Sequence, residues 1–552
     1  MSVALFLTVC GFFASFMLAM AMGANDVANA FGTSVGSGVL TMRQAIVLAG
    51  MANFLGATSM SGEVTDTIRK GIVDLAEFEG DGRHRRLSLM LVMLTAMMGA
   101  VTYIGLATKV AMPVSSTQAI LGGLVGAVIA KDKSRSGVRW RDSPMCSFDG
   151  ESGSFSCGGV IGIVLQWIIA PVLSFIFSLI VFSISYKLLL NVKPEIALRR
   201  APAVMAFYLG AVAFLLAWFI IVEQQHHPNS NGWKPQGEET DVATELQVLV
   251  CVMIGIGLAY VSLTLFTIDP SLLIYQPYLR YLQKERANNE NSEDQGSVEL
   301  RTISGGAPTA AESVVDLGVT EDIDFEDVDS PKPSFFERIR GHTFNPLLLS
   351  SQQREKVDEE KTTDEEVFKN KEKDGVVEYD PRVESVFGSA QIATATLAAF
   401  AAGANDVANE VAPLAAIYQT YRQGEVTENA QTPIWLFVFA GIGIVTGLSL
   451  FGHRVMKTIG HDTTVVTPAR GFNVEMAYSV ASLVASAEGW PVSTTQLAVG
   501  ALCGVGLASG TKENSLNFKL LRRIFLAWTL TPALSSLFAG LYFIILKPMI
   551  KN

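Results

Sequence analysis

Apolar residues in this chain come in long unbroken runs rather than in one-sided stripes, and a helix needs about 20 such residues to cross the hydrocarbon core of a bilayer. Seven runs meet that length roughly in the first half, at 3–22, 43–62, 87–108, 113–130, 160–190, 201–222 and 246–268. Five follow in the second, at 387–402, 433–451, 474–487, 491–509 and 520–547. The pattern predicts an all-α, polytopic membrane protein of about 12 transmembrane helices, with Pro171 a candidate bend in the longest run. A stretch of about a hundred residues between the halves breaks the pattern. It holds acidic runs such as EDIDFEDVDS and few aromatics, a composition that cannot bury enough apolar surface to fold alone. The expected organisation is a first transmembrane repeat over 1–190, linking transmembrane helices over 191–282, an acidic, mostly disordered cytoplasmic loop over 283–386, and a second transmembrane repeat over 387–552.

Composition supports that picture. Only 17% of the 552 residues are charged against 49% hydrophobic, well below the quarter a soluble domain holds on its surface. The net charge of −11 is local, because Lys284–Glu384 holds 26 acidic and 13 basic residues. The rest is close to neutral, with no basic face to suggest a nucleic acid partner. For orientation, Lys187, Lys193, Arg199 and Arg200 crowd one connection while the next, at 223–245, holds only Lys234. The positive-inside rule then puts the former, and with it the acidic loop, in the cytoplasm; five basic residues at 131–157 run against the rule. The first run lacks a basic leader and continues into the GANDVAN segment, so it reads as a retained helix. Of the five cysteines, Cys10, Cys251 and Cys503 lie in apolar runs, whereas Cys146 and Cys157 share one loop where either a disulfide or two free thiols would fit.

The chain also repeats itself. GANDVANAF at 23–31 returns as GANDVANEV at 403–411, and PVSSTQAILGGLVG at 113–126 returns as PVSTTQLAVGALCG at 491–504. The motifs are 90 residues apart in the first copy and 88 in the second. Gly56 recurs as Gly447, and Trp167 with Pro171 recurs as Trp528 with Pro532. With 113–130 taken as a crossing, seven crossings separate the copies, and an odd number inverts the second. Transporters built from inverted repeats hold substrate near the midplane, at interrupted helices between the copies.

The motifs carry suitable chemistry. An ionised Asp at membrane depth costs about 2.5–3.5 kcal/mol on insertion scales and needs a cation or donor beside it. Asp26 and Asp406, with Asn25, Asn29, Asn405 and Asn409, offer the oxygen ligands that hard cations prefer. The competing role is helix capping; the duplication favours the cation. In the second motif, Ser115, Ser116, Thr117 and Gln118 follow Pro113, and Ser493, Thr494, Thr495 and Gln496 follow Pro491. Each is a helix-start signature whose free N–H groups and dipole form an anion site. Capping explains one hydroxyl per helix, not three in a row twice. Glu410, Glu475 and Glu488 are further intramembrane acids. Lys109 is expected to snorkel to the interface, and Arg69 and Lys70 to be solvated charges flanking the second span.

These residues resemble the inorganic phosphate transporter family of sodium/phosphate symporters, over about four fifths of the chain. The signature is the doubled GANDVAN together with TIRKG at 67–71, GVRW at 137–140, GFNVE at 471–475 and the paired PVS(S/T)TQ segments. The resemblance implies twelve helices with both termini outside and a secondary active transporter that imports phosphate with sodium, without a cofactor, in a multi-pass membrane setting, the plasma membrane first. It carries phosphate roles onto Ser115, Ser116, Thr117, Gln118, Ser493, Thr494, Thr495, Gln496, Asn25 and Asn405. It carries sodium roles onto Asp26, Asp406, Asn29, Asn409 and Glu475. A homodimer is compatible with it. Where animal members have a Glu three residues before Gly56, this chain has Asn53, and Gln118 and Gln496 stand in place of a His. That leaves proton coupling, or another tetrahedral oxyanion such as sulfate, as alternatives. An enzyme is not expected: there is no GxSxG and no HExxH.

Overall fold

The structure, a computed structural model, describes residues 2–78, 82–110, 112–132, 137–140, 146–148, 155–223, 241–269, 274–275, 277–278, 372–373, 376–377, 379–426, 432–453, 467–509 and 518–550. The acidic loop and the 223–245 connection therefore lie outside the described residues, apart from their edges.

Every expected run forms helix. In chain order these are α1 (Val3–Asn25), α2 (Val27–Gly36), α3 (Met42–Met60), α4 (Gly62–Gly71), α5 (Arg83–Lys109), α6 (Ser116–Asp132), α7 (Gly159–Ser185), α8 (Pro194–Trp218), α9 (Asp241–Ile268), α10 (Pro381–Asp406), α11 (Ala408–Gln423), α12 (Ile434–Phe451), α13 (Pro468–Ala487), α14 (Thr494–Ala508) and α15 (Phe518–Leu546). Pro171 sits inside α7 without ending it. Among the described residues, eight helical stretches are long and apolar enough to span a membrane, and the pair α3 and α4, bent by 64°, makes a ninth. The protein is a multi-pass membrane protein. Its exposed apolar side chains, such as Met253, Ile256, Phe525 and Ile545, fit a surface turned to lipid rather than water. Among the described residues, strand pairing is confined to two short ribbons and an isolated bridge between Val73 and Val138. One pairs Cys146–Phe148 with Phe155–Cys157, with Cys146 opposite Cys157 in the backbone register; the cysteine side chains lie outside the described residues.

The helix α10 begins at Pro381, six residues before the expected boundary at 387. Asp380 caps it, accepting from Arg382 N, and Pro381 fills the first turn where no N–H partner is needed.

The route through the motif segments differs from the expected crossings. The helices α5 and α6 form a hairpin that enters and leaves on one side. The start of α5 meets the C-terminal turn through His84 and the Ile550 carbonyl (3.2 Å), and the end of α6 meets the same turn through Lys547 and the Lys131 carbonyl (2.5 Å). Between them, Gly123 packs against the Ala96 backbone. The helices α13 and α14 do likewise from the other end. Asn473, near the start of α13, accepts from Ser185 at 2.9 Å, while Gly504, on the outer half of α14, packs against Phe175 and Ser178. At 17 and 15 residues, α6 and α14 rise only about 26 and 23 Å at 1.5 Å per residue, short of a full crossing. Their extended lead-ins at 113–115 and 490–493 survive at membrane depth because protein, not lipid, surrounds them. A hairpin that returns to the side it left changes the number of crossings by two or by none, so the number between the copies stays odd and the second copy stays inverted.

Reciprocal contacts bind the copies together. Gly23 packs on the Ile444 backbone and its counterpart Gly403 on that of Asn53; Gly56 packs on Phe400 and Gly447 on Met20. At each, a Cβ would collide with a carbonyl of the opposite copy. The hairpins exchange in the same way, with Gly122 of α6 on Pro532 of α15 and Gly500 of α14 on Pro171 of α7. Each copy thus completes the packing of the other.

Candidate substrate and ion site

Both GANDVAN segments break their helix beside the aspartate, at Asp26 in the first copy and at Val407 in the second. The α1 helix stops at Asn25 and α2 starts at Val27; α10 stops at Asp406 and α11 starts at Ala408. Neither aspartate caps the helix that follows, as α2 and α11 have no side-chain cap. The capping alternative raised by the sequence is thereby removed. Both are about 1% exposed.

The asparagine before each aspartate ties the break to the tip of its own hairpin. Asn25 Nδ2 donates to Thr108 Oγ1 at 3.1 Å and to the Met112 carbonyl at 3.0 Å, and Asn405 Nδ2 donates to Ser486 Oγ at 3.2 Å and to the Trp490 carbonyl at 2.9 Å. In the first copy the amide oxygen of Asn25 also accepts from Val114 N at 3.0 Å. The motifs 90 residues apart are therefore neighbours, and the duplicate bonds fix the same geometry twice.

The two hairpin tips meet across the pseudo-two-fold. Thr117 donates to the Val492 carbonyl at 3.0 Å and Thr495 to the Val114 carbonyl at 3.1 Å. Hydroxyls of the same turn reach the aspartates: Thr494 donates to Asp406 Oδ2 at 2.9 Å, and the Thr495 hydroxyl, shared with the Val114 carbonyl, lies 3.4 Å from Asp26 Oδ1. Asp26 also bonds Ser116, and Asn409 Nδ2 donates to Ser116 Oγ at 3.3 Å and Thr117 Oγ1 at 3.2 Å. One turn of α14 thus touches an aspartate from each copy. The two carboxylates lie within electrostatic reach of each other. Ser115 and Ser493 take the capping role, accepting from Gln118 N at 3.2 Å and Gln496 N at 3.3 Å. The side chain of Asn29 lies outside the described residues.

Acceptor oxygens are in excess here. Among the described residues, Asp26 Oδ2, Asp406 Oδ1, Asn405 Oδ1, Asn409 Oδ1, Gln118 Oε1 and Gln496 Oε1 are buried without a hydrogen-bond partner. Each such group costs about 1–3 kcal/mol if nothing answers it. The set suits a cation, while the facing starts of α6 and α14 suit an anion.

Glu475, on α13, forms a separate centre. Its Oε1 accepts from Thr33 at 2.6 Å, Ser34 at 2.7 Å and Gln391 at 3.2 Å, and its Oε2 from Thr394 at 2.8 Å. Asn53 stands apart, donating to the Ala399 carbonyl at 3.4 Å. Arg69 is not the solvated flank charge expected of it: it is 3% exposed and holds Gln419 Oε1 at 2.6 Å and Asp66 at 3.0 Å. The TIRKG run alone could not reveal this, because Gln419 is 350 residues away. Tyr478 was likewise missed; its hydroxyl is buried near both aspartates and has no partner among the described residues.

The sequence is similar to proteins of matching length. A phosphate-repressible phosphate permease of Neurospora crassa is 29% identical, over 94% of this chain and 93% of the permease. A sodium-dependent phosphate transporter 1-A of Danio rerio is 28% identical, over 100% and 96% of the two chains. The solved structure of a sodium-dependent phosphate transporter shares the fold, with a TM-score of 0.67 over 98% of this chain and 99% of that one, at 24% identity. The sequence model of the phosphate transporter family matches residues 22–539, most of the chain and both copies of every motif, and the chain belongs to the phosphate transporter family.

Proposed function

We propose that this chain imports inorganic phosphate across the plasma membrane by cotransport with sodium, through alternating access of the two inverted repeats. The observation that carries the proposal is the contact of Thr494 and Thr495, neighbours at one helix start, with Asp406 and Asp26 from opposite copies. Cation ligands and anion donors thereby share one buried space.

In this reading phosphate takes its donors from the first N–H groups of α6 and α14 and from the hydroxyls of Ser115, Ser116 and Ser493, and Thr117, Thr494 and Thr495 turn to it from the Val492 carbonyl, Asp406 and the Val114 carbonyl when it binds. The two capping serines accept with a lone pair and keep an O–H to donate. Gln118, Gln496, Asn25 and Asn405 close the site. Neutral donors hold the anion without the permanent charge that would slow its release. Sodium binds at Asp26 and Asp406 with the amide oxygens of Asn29 and Asn409, and its charge offsets that of phosphate. Glu475, with the hydroxyls of Thr33, Ser34 and Thr394, forms a further sodium position apart from the aspartates. Relatives named as sodium-dependent phosphate transporters support sodium as the driving ion.

The test is uptake of labelled phosphate into vesicles containing the purified chain, with a sodium or a proton gradient imposed separately. Saturable uptake driven by sodium is the expected result. Uptake driven by protons alone would overturn the choice of ion, and efficient competition by sulfate would overturn the choice of substrate.

A further inference from the structure

The two GANDVAN segments differ where charge matters: Ala30 in the first copy is Glu410 in the second. Glu410 is fully buried, and among the described residues no neighbouring residue hydrogen-bonds its carboxylate oxygens, which have only its own backbone N–H close by. It follows Asp406 by four residues, across the break at Val407; the Val411 N–H bonds the Val407 carbonyl at 3.1 Å, so regular helix resumes directly after the break.

Its neighbours do not satisfy it. From α1, Ser15 donates to the main-chain carbonyl of Glu410 at 3.4 Å, not to its carboxylate. Asp26, at the break between α1 and α2, and Asp406, at the end of α10, both act on it as like charges. On α4, the cation Arg69 is engaged with Asp66 and Gln419. Packing does not account for the residue either, since the first copy fills the equivalent position with a methyl group. An unpaired acid beside two other acids at membrane depth is among the costliest arrangements a fold can keep. Glu475, with four donors, shows what a satisfied acid looks like in this protein.

We propose that Glu410 anchors an additional sodium position beside Asp406, so that the loaded transporter carries one more cation than the pseudo-symmetric aspartates and Glu475 would take. Asp406 Oδ1, unpartnered among the described residues and within electrostatic reach of Glu410, is the oxygen available to share it. The site rests on the sodium-coupled reading above and adds to it an asymmetry between the copies.

The test uses the full chain in liposomes, following labelled sodium and labelled phosphate together. Glu410→Gln is expected to lower the sodium-to-phosphate ratio by one and to raise the sodium concentration for half-maximal uptake roughly tenfold or more. The phosphate KM at saturating sodium should be unchanged, and Glu410→Asp should restore part of the sodium response. Should Glu410→Gln fold poorly, Glu410→Ala, which restores the residue of the first copy, gives the same readout, with sodium-dependent thermal stabilisation as a second measure. An unchanged ratio and sodium response in a folded variant would overturn the proposal. So would a change confined to the pH profile. Wild-type uptake that ignores sodium would instead overturn the coupling reading itself, so the two failures are distinct.

Discussion

Where the first copy places Ala30, Met97 and Ala100, the second places Glu410, Glu475 and Tyr478. The frames agree: the Asn25 and Asn405 staples, the Thr117 and Thr495 bridges and the glycine contacts all occur in pairs. The polar chemistry does not. Symmetry governs what must pack, because each copy closes the other and a change on one side would need a matching change across the axis. Charge is free of that constraint, and the extra acids collect in one copy. Glu475 and the aspartates differ in the same sense: both Glu475 oxygens have protein donors, while Asp26 Oδ2 and Asp406 Oδ1 have none among the described residues.

That contrast can be broken experimentally. The largest effect is expected at its centre: Asp26→Asn and Asp406→Asn should each lower phosphate uptake at least roughly 100-fold, about 2.7 kcal/mol, with the protein still in the membrane by surface labelling. Survival of uptake in both would remove the aspartates from the mechanism. Next, Glu475→Gln should cost roughly 10- to 100-fold in sodium affinity, read as the sodium dependence of uptake, because the amide cannot accept from all four donors. The frame comes third. Gly403→Ala drives a Cβ into the Asn53 carbonyl, and overpacking of this kind costs about 1–3 kcal/mol; Gly23→Ala should cost the same in thermal unfolding, and unequal losses would show that the copies are not equivalent in packing. Smallest is Asp380→Ala, which removes the α10 cap at about 1 kcal/mol, seen as a modest fall in melting temperature with transport kinetics unchanged.

Much of this was legible in the chain. The doubled GANDVAN and PVS(S/T)TQ motifs announced the two copies, and the structure brings the motifs of both copies into contact. The roles of individual hydroxyls were not legible. Ser115 and Ser493 look like their neighbours, yet they cap, while Thr117 and Thr495 reach across to the other hairpin. Arg69 reads as a flank charge because its partner lies in the other half of the chain.

By itself the sequence determined the helices, their repetition and the odd parity that inverts the second copy, since runs of apolar residues and repeated motifs are properties of local order. Only the tertiary structure decided that α5 with α6 and α13 with α14 turn back as hairpins, that Thr494 and Thr495 touch both aspartates, and that no neighbour among the described residues bonds the Glu410 carboxylate. Those facts depend on which distant backbones approach closely, and helix packing across a pseudo-symmetry axis, rather than any local preference, sets that distance.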